Sequence, residues 1–401
     1  MHEQDLSLAP PHRLPLAGAI RYKLTSVLLG LLMVFVLGEV LFRFVLPSQD
    51  RFYVWQPNFK VTLDPDPKLV PGISGAAVFS TNSEGLRGDE FAKEQTHRIL
   101  AVGGSTTECL YLDDTEAWPY ILQSKLSETR QASVWVGNAG RAGRNSRDHL
   151  LQLKYLLPQY PQIDTVIMLV GSNDLHIRIS DRNYDPQTTA KPTFEKDYIH
   201  RAFALVPSDK PPYHYTRLGW WRVAKKFKNL YLDKVSDVPY MDSTGGSFAS
   251  WRQFRRNAEE IVDEVPDLAS ALQEYRRNLN SIVDIARARS VRLILITQPT
   301  IWRSDLPQEE IGLLWGGGVD KFQLGLGKKY YSPSSLATAM RQYNDVLLDV
   351  CRDRAIDCVD LAGALPKDKS VFYDDVHFNE SGARQVADEL VRHIDQRVLS
   401  H

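Results

Sequence analysis

Five short apolar segments alternate with segments of helical periodicity between residues 97 and 398. The apolar segments read HRILAV, ASVWVG, DTVIMLV, SVRLILIT and AIDCVDL. Short apolar runs bounded by turn residues are typical of strands in parallel sheets, which are covered by helices on both faces. The alternation therefore predicts an α/β fold, a three-layer α/β/α sandwich around one five-stranded parallel sheet.

An insertion interrupts this alternation after the third segment. About 120 residues follow before the next strand, whereas such connections take roughly 2 to 6 residues beyond their helix. We expect the insertion at about residues 176–250, with a helical stretch over 251–289 after it. Its aromatic and basic stretch WWRVAKKFKNLYL fits a lid, an acyl-group contact, an amphipathic helix on a lipid surface, or a helix packed on the domain.

The N-terminal part contains an apolar run that is long enough to cross a membrane. About 20 apolar residues in a helix span a hydrocarbon core of about 30 Å. Three basic residues, Arg13, Arg21 and Lys23, precede the run, and the positive-inside bias then places the N-terminus in the cytoplasm. The expected order is a cytoplasmic N-terminus at 1–23, a transmembrane anchor at 24–46, a stalk and lead-in segment at 47–96, and a periplasmic or extracellular domain at 97–398.

Charge and cysteine content exclude several kinds of partner and scaffold. The 48 basic residues nearly balance the 49 acidic ones, so the chain as a whole does not attract nucleic acid. Three cysteines are too few for a disulfide scaffold, and their spacing does not match a metal site. Cys109 is expected to be buried. Cys351 and Cys358 flank a helix-to-strand turn, where one disulfide or two reduced thiols would fit.

The first two predicted strand-to-helix loops contain glycines and a serine. In VGGSTTE, two glycines permit a sharp turn and leave Ser105 at the start of the next helix. In GNAGRAGRNSRD, Gly140 and Gly143 permit the backbone to approach a ligand closely and to direct an amide at it. A serine at this place is also a common helix N-cap, so the motif alone does not define a nucleophile.

Two later loops add an amide and a carboxylate–imidazole pair. Asn173, in VGSNDLH, is a neutral donor that can stabilise an oxyanion. Asp374 and His377, in FYDDVHFNESG, are three residues apart, so the carboxylate can fix the tautomer of the imidazole. Since ligands bind beyond the carboxyl ends of parallel strands, we expect all four loops to border one crevice.

Together the four loops resemble those of the SGNH hydrolases, also called GDSL-type esterases and lipases. The resemblance covers residues 80–174 and 290–398 and implies the flavodoxin-like fold of that family for the 97–398 domain. GGSTTE stands in place of GDSL, and Gly140 is an alternative position for the family's glycine. The three-residue spacing of the family pattern favours Asp374 over Asp375. The resemblance implies catalytic roles for Ser105, Asp374 and His377, and an oxyanion hole formed by Ser105, Gly143 and Asn173.

The resemblance implies a serine esterase that uses neither a metal nor a cofactor. Its substrate would be an acyl or acetyl ester of a glycan or lipid, cleaved outside the cytoplasm through an acyl-enzyme intermediate. The expected partners are this substrate and, through the N-terminal helix, the membrane, but not nucleic acid. Two alternatives stay open. The same residues could transfer the acyl group to a cell-envelope polysaccharide, or the fold could serve polysaccharide assembly without catalysis.

Overall fold

The chain separates into two compact units. One comprises Met1–Ser48 and Ser208–Pro239, and the other comprises Gln49–Pro207 and Tyr240–His401. The computed structural model describes residues 16–45, 51–92, 94–207, 219–221, 223–224, 241–320 and 322–398.

The second unit contains all of the described strands. They are β1 (Lys60–Leu63), β2 (Ala77–Ser80), β3 (His97–Gly103), β4 (Val134–Asn138), β5 (Thr165–Leu169), β6 (Glu260–Val262), β7 (Arg292–Ile296), β8 (Lys329–Tyr331) and β9 (Asp357–Val359). The main helices described are α1 (Leu16–Val45), α2 (Ser105–Glu108), α3 (Trp118–Arg130), α4 (Ser146–Gln159), α5 (Ser172–Ser180), α6 (Phe194–Ala202), α7 (Gly246–Arg256), α8 (Ala269–Arg287), α9 (Gln308–Ile311), α10 (Pro333–Arg354), α11 (Leu361–Ala364) and α12 (Glu380–Val398).

Five strands form one fully parallel sheet in the order β4-β3-β5-β7-β9. These strands coincide with the five apolar segments of the sequence. Helix α3 packs against α12, whereas α8 packs against both α4 and α10. Strands β4, β5 and β7 are buried over nearly their whole length because helices cover both faces. The predicted three-layer fold is therefore confirmed.

The segment expected to be a stalk, 47–96, belongs instead to the same compact unit as the sheet, at least from residue 49 onward. Strands β1 and β2 form an antiparallel pair there. The side chains of Val54, Leu63 and Phe79 are fully buried in the common hydrophobic core. These apolar residues recur at irregular intervals, so they give neither a strand nor a helix period although they are core residues.

The stretch 251–289 is not helical throughout, contrary to expectation. Helix α7 ends at Arg256 and α8 begins at Ala269. Between them β6 pairs in parallel with β8, a strand far along the chain that no local pattern reveals. Pro266 also lies in this break, and proline lacks the N–H that a helix interior requires.

Helix α1 contains the apolar run, except for Leu46, which lies outside the described residues. Its segment Lys23–Phe42 has a mean hydropathy of 2.3, with none of the apolar window buried. A helix of this length and composition can span a membrane, and an N-terminal signal sequence shares these properties. Within the same unit, the Trp220 ring packs edge-on against Phe42 at 4.8 Å, and its indole N–H donates to the Phe35 carbonyl at 2.8 Å.

Most of the aromatic and basic stretch of the insertion, including residues 225–232, lies outside the described residues. The four interpretations of that stretch therefore stay predictions. The earlier part of the insertion, by contrast, contains α6, which packs on α4 within the second unit.

The two cysteines for which the sequence allowed either a disulfide or two reduced thiols form a disulfide. Cys351 lies in the last turn of α10 and Cys358 in β9, and their Cα atoms are 6.1 Å apart. This separation is ordinary for a disulfide. The bridge fixes the turn between helix and strand, and such bonds persist in oxidising compartments. Cys109 is buried and free.

A buried arginine connects the lead-in segment to the chain after β3. The Arg87 guanidinium donates to the carbonyls of Glu108 at 2.6 Å, Cys109 at 2.7 Å and Leu112 at 2.6 Å. Its Nε also donates to Asp114 at 2.8 Å. These acceptors lie at and beyond the C-terminal end of α2, so Arg87 holds that end of the short helix in place.

Replacing this arginine should be costly. We expect Arg87→Ala to lower the free energy of unfolding by about 3 to 5 kcal/mol, because buried carbonyls and a carboxylate lose their donor. Urea denaturation of the detergent-solubilised protein measures the change. Arg182→Ala is the control, since Arg182 pairs with Asp320 while 72% of its side chain is exposed, and it should cost less than about 1 kcal/mol. Equal losses in both variants would contradict the role given to Arg87.

Candidate active site

Ser105 lies at the carboxyl edge of the sheet as the first residue of α2. Gly103 ends β3, and Gly104 is the residue before the helix. A side-chain carbon at Gly103 would overlap Thr107, and one at Gly104 would overlap the amide nitrogen of Asn173. The two glycines are therefore required by close packing around the serine.

The structure brings Ser105 together with His377 and Asp374. Ser105 Oγ lies 2.7 Å from Nε2 of His377, although the two residues are 272 positions apart. The other ring nitrogen, Nδ1, lies 2.7 Å from Oδ2 of Asp374. A carboxylate only accepts hydrogen bonds, so Nδ1 carries the proton and Nε2 is left to accept one from the serine hydroxyl.

Asp374 is fully buried, and donors surround its carboxylate. Oδ1 accepts hydrogen bonds from the backbone N–H of Val376 at 2.9 Å and of His377 at 2.8 Å. Oδ2 accepts the indole N–H of Trp315 at 2.9 Å in addition to the imidazole. With these contacts the carboxylate, and through it the imidazole, is held in one orientation.

The protonation equilibria follow from this arrangement. Burial tends to raise the pKa of Asp374, but the charge of His377 and the hydrogen bonds more than offset it, so the pKa is lowered. Burial tends to lower the pKa of His377, but the Asp374 carboxylate more than offsets it, so that pKa is raised. Together the two shifts favour an ionised carboxylate beside a protonated imidazole.

The neighbouring carboxylate, Asp375, points elsewhere. It accepts hydrogen bonds from the indole N–H of Trp302 at 2.8 Å and from the backbone N–H groups of Trp315 at 2.8 Å and Gly316 at 3.0 Å. Burial raises its pKa. Asp375 thus anchors the loop that carries the Trp315 indole, and the imidazole of His377 bonds to Asp374.

The two glycines of the second loop have different surroundings. The N–H of Gly140 donates to Oδ1 of Asn138 at 2.8 Å, and a side-chain carbon there would overlap the backbone of α2. Gly143 has a φ of +71° and is exposed. No described residue accepts its N–H. The amide of Gly143 is therefore available to a ligand, whereas that of Gly140 is occupied.

Asn173 is the second residue of α5, at the end of the neighbouring strand β5. Its Nδ2 donates to the carbonyl of Arg144 at 2.8 Å. The same nitrogen is the atom that a side chain at Gly104 would meet. One N–H of this amide is thus used to hold the second loop, and the other is free to face the space beside Ser105.

The sequence did not reveal the roles of two residues that organise this site. Trp315 lies in LLWGGG, after β7, where no motif or apolar period marks it. Arg87 lies in the stretch TNSEGLRG of the lead-in segment, but its spacing to α2 does not reveal that its guanidinium donates to the C-terminal end of that helix. Both act through contacts between distant parts of the chain.

The arrangement can activate a hydroxyl and stabilise a negatively charged oxygen. A serine hydroxyl, an imidazole and a carboxylate are hydrogen-bonded in line, and amide donors lie on the adjoining loops. In the part of the chain that the structure describes, no group of three or more His, Cys, Asp or Glu side chains is placed to hold a metal ion.

The solved structures to which the chain is similar share little sequence with it. One is LAE5, an α/β hydrolase enzyme from the metagenome of Lake Arreo, Spain, with 14% identity over 76% of this chain and 96% of that one and a TM-score of 0.38. The lipase/acylhydrolase from Enterococcus faecalis has 16% identity over 75% and 97%, with a TM-score of 0.40. The acetylxylan esterase Axe2 from Geobacillus stearothermophilus has 13% identity over 76% and 96%, with a TM-score of 0.39.

A match to a family model assigns the chain to a family, which these distant structures do not do. No curated protein sequence matches the chain. The model of the GDSL-like lipase/acylhydrolase family matches residues 101–385, which is more than half of the chain and includes all four loops. The chain therefore belongs to the GDSL-like lipase/acylhydrolase family, the SGNH hydrolases, and is a carboxylic ester hydrolase.

Proposed function

We propose that this protein is a serine esterase that cleaves an acyl or acetyl ester of a glycan or lipid outside the cytoplasm. The observation that carries the proposal is the 2.7 Å contact between Ser105 Oγ and His377 Nε2. A serine hydroxyl is a weak nucleophile until an adjacent base takes its proton, and this distance permits that transfer.

In the proposed reaction, Ser105 Oγ attacks the ester carbonyl while His377 takes the hydroxyl proton. Asp374 stabilises the imidazolium that forms. The imidazolium then gives its proton to the alcohol as the alcohol departs. The acyl group stays bonded to the serine. A water molecule, deprotonated by the same imidazole, releases the acid and restores Ser105.

The tetrahedral intermediate would be stabilised by donors on three adjacent loops. The N–H groups of Ser105 and Gly143 have no acceptor among the described residues, and Asn173 has one N–H beyond its bond to Arg144. Loss of one such donor typically raises the barrier by about 3 kcal/mol.

Helix α1 supports the proposed location. A span at Lys23–Phe42, preceded by basic residues, would leave the catalytic unit on the far side of the membrane. The disulfide between Cys351 and Cys358 is consistent with that oxidising side.

Removal of the hydroxyl tests the proposal. Ser105→Ala in the detergent-solubilised full chain should lower turnover of p-nitrophenyl acetate by at least about 10³-fold, because the variant lacks the hydroxyl that forms the proposed acyl-enzyme. Ser172→Ala is a matched control, since Ser172 also begins a helix at this edge, and it should retain most activity. Hydrolysis without an added acceptor favours the esterase over the transferase. Equal rates in wild type and Ser105→Ala would refute the proposal.

The pH profile should report the imidazole. The neutral form of His377 is the active base, so kcat/KM should rise with pH. Because Asp374 raises the pKa of His377, the midpoint should lie above the ordinary 6.5. Asp374→Asn removes the negative charge and should move the midpoint down while lowering the rate. A midpoint below 6.5 in the wild type would contradict the assignment.

A methyl group added next to Asn173 should disturb this residue as a donor to the oxyanion. In Gly104→Ala the new carbon overlaps Asn173 Nδ2, so we expect kcat to fall by about 10² to 10³-fold. Gly246→Ala is the control, because the nearest atom to its new carbon is 3.5 Å away, and kcat should be unchanged. Full activity in Gly104→Ala would show that Asn173 has no part in the reaction.

A further inference from the structure

A small pocket lies beside Ser105, on the side of His377. The space open to the centre of a water-sized group is about 10 Å³. The pocket therefore has room for roughly one such group. Its lining includes Ser105, Cys109, Tyr111, Leu112, Tyr373 and His377.

We propose that this pocket receives the acyl group and restricts the enzyme to acetyl esters. The inference rests on the proposed function, since it takes Ser105 as the residue that is acylated. In the acyl-enzyme the carbonyl carbon is bonded to Ser105 Oγ, so its substituent must occupy space next to the serine. A methyl group is close to water in size and fits, whereas a longer chain requires that the walls move apart.

The two tyrosines of the lining are held by contacts with neighbouring residues. The Tyr111 hydroxyl donates to the carbonyl of Asp242 at 2.8 Å. The Tyr373 ring is stacked on His377, with centroids 5.5 Å apart and planes inclined by 11°. The Tyr373 carbonyl accepts a hydrogen bond from Arg252 at 3.0 Å. Both tyrosines are buried, so enlarging the pocket would break packed contacts or hydrogen bonds.

Cys109, the residue that follows α2, also lines the pocket. It has a φ of +54°, and its Sγ lies 3.4 Å from the carbonyl of Thr106. Burial raises the pKa of the thiol to about 12, so the side chain stays neutral and presents a small apolar surface. This part of the lining thus suits a hydrocarbon group.

The size limit falls on the acyl group and not on the alcohol. Ala142 and Gly143, on the second loop of the site, are exposed, so that side can accommodate a large leaving group. The combination fits an acetyl group carried on a glycan hydroxyl. A long-chain lipid ester is the substrate class that the pocket excludes.

A chain-length series tests this directly. The detergent-solubilised full chain should hydrolyse p-nitrophenyl acetate with the highest kcat/KM. Each added methylene, in the propionate and then the butyrate, should lower kcat/KM by about tenfold or more. Comparable kcat/KM for acetate and butyrate would overturn the inference.

Two glycine variants identify the pocket as the acyl site. Cys109→Gly removes a wall at a backbone conformation that glycine adopts freely, so the propionate-to-acetate ratio of kcat/KM should rise about tenfold. Gln131→Gly is the matched control, because Gln131 is exposed and has a φ of +49°, and its ratio should equal that of wild type. An unchanged ratio in folded Cys109→Gly would show that the acyl group lies elsewhere.

The two proposals fail differently. If Ser105→Ala retains acetate turnover, the serine mechanism is wrong and the acyl pocket loses its basis. If Ser105→Ala is inactive while the wild type uses butyrate as readily as acetate, the serine mechanism stands and only the acetyl restriction is wrong.

Discussion

The site depends on one carboxylate that has no contact with solvent. A buried charge is tolerated only where hydrogen bonds and an opposite charge compensate its lost hydration. At Asp374 the compensation comes from the Trp315 indole, from two backbone N–H groups and from the imidazole of His377. These bonds leave the carboxylate one orientation, and so the imidazole faces Ser105 before any substrate binds. Such preorganisation is what an esterase requires of its base.

Sheet topology supplies the remaining groups. Strands β4, β3 and β5 are neighbours in the sheet, and the loops after them carry Gly143, Ser105 and Asn173. Parallel strands end at the same edge, so residues distant in sequence become adjacent without long connections. The glycines at 103 and 104 then allow the loops to approach one another, which places the Asn173 amide against the backbone before the serine.

Much of the fold could be predicted from sequence because the sheet is buried on both faces. Each of its strands is a short apolar run, and these runs marked all five. Loop motifs named Ser105, His377 and Asp374, which the structure places in hydrogen-bond contact. The core position of residues 51–92 could not be foreseen, since Val54, Leu63 and Phe79 follow no period. Strand β6 was missed because its partner, β8, is distant in sequence. The same holds for Trp315 and Arg87, whose contacts are long-range.

The proposed mechanism requires that an ester acylate Ser105. The most direct measurement is peptide mass spectrometry of protein that has been mixed with p-nitrophenyl acetate and quenched in acid within the first turnover. We predict an acetyl group on the peptide that contains Ser105 and its absence from the Ser105→Ala variant. Acetylation of another residue at the same rate, with Ser105 unmodified while ester is consumed, would contradict it.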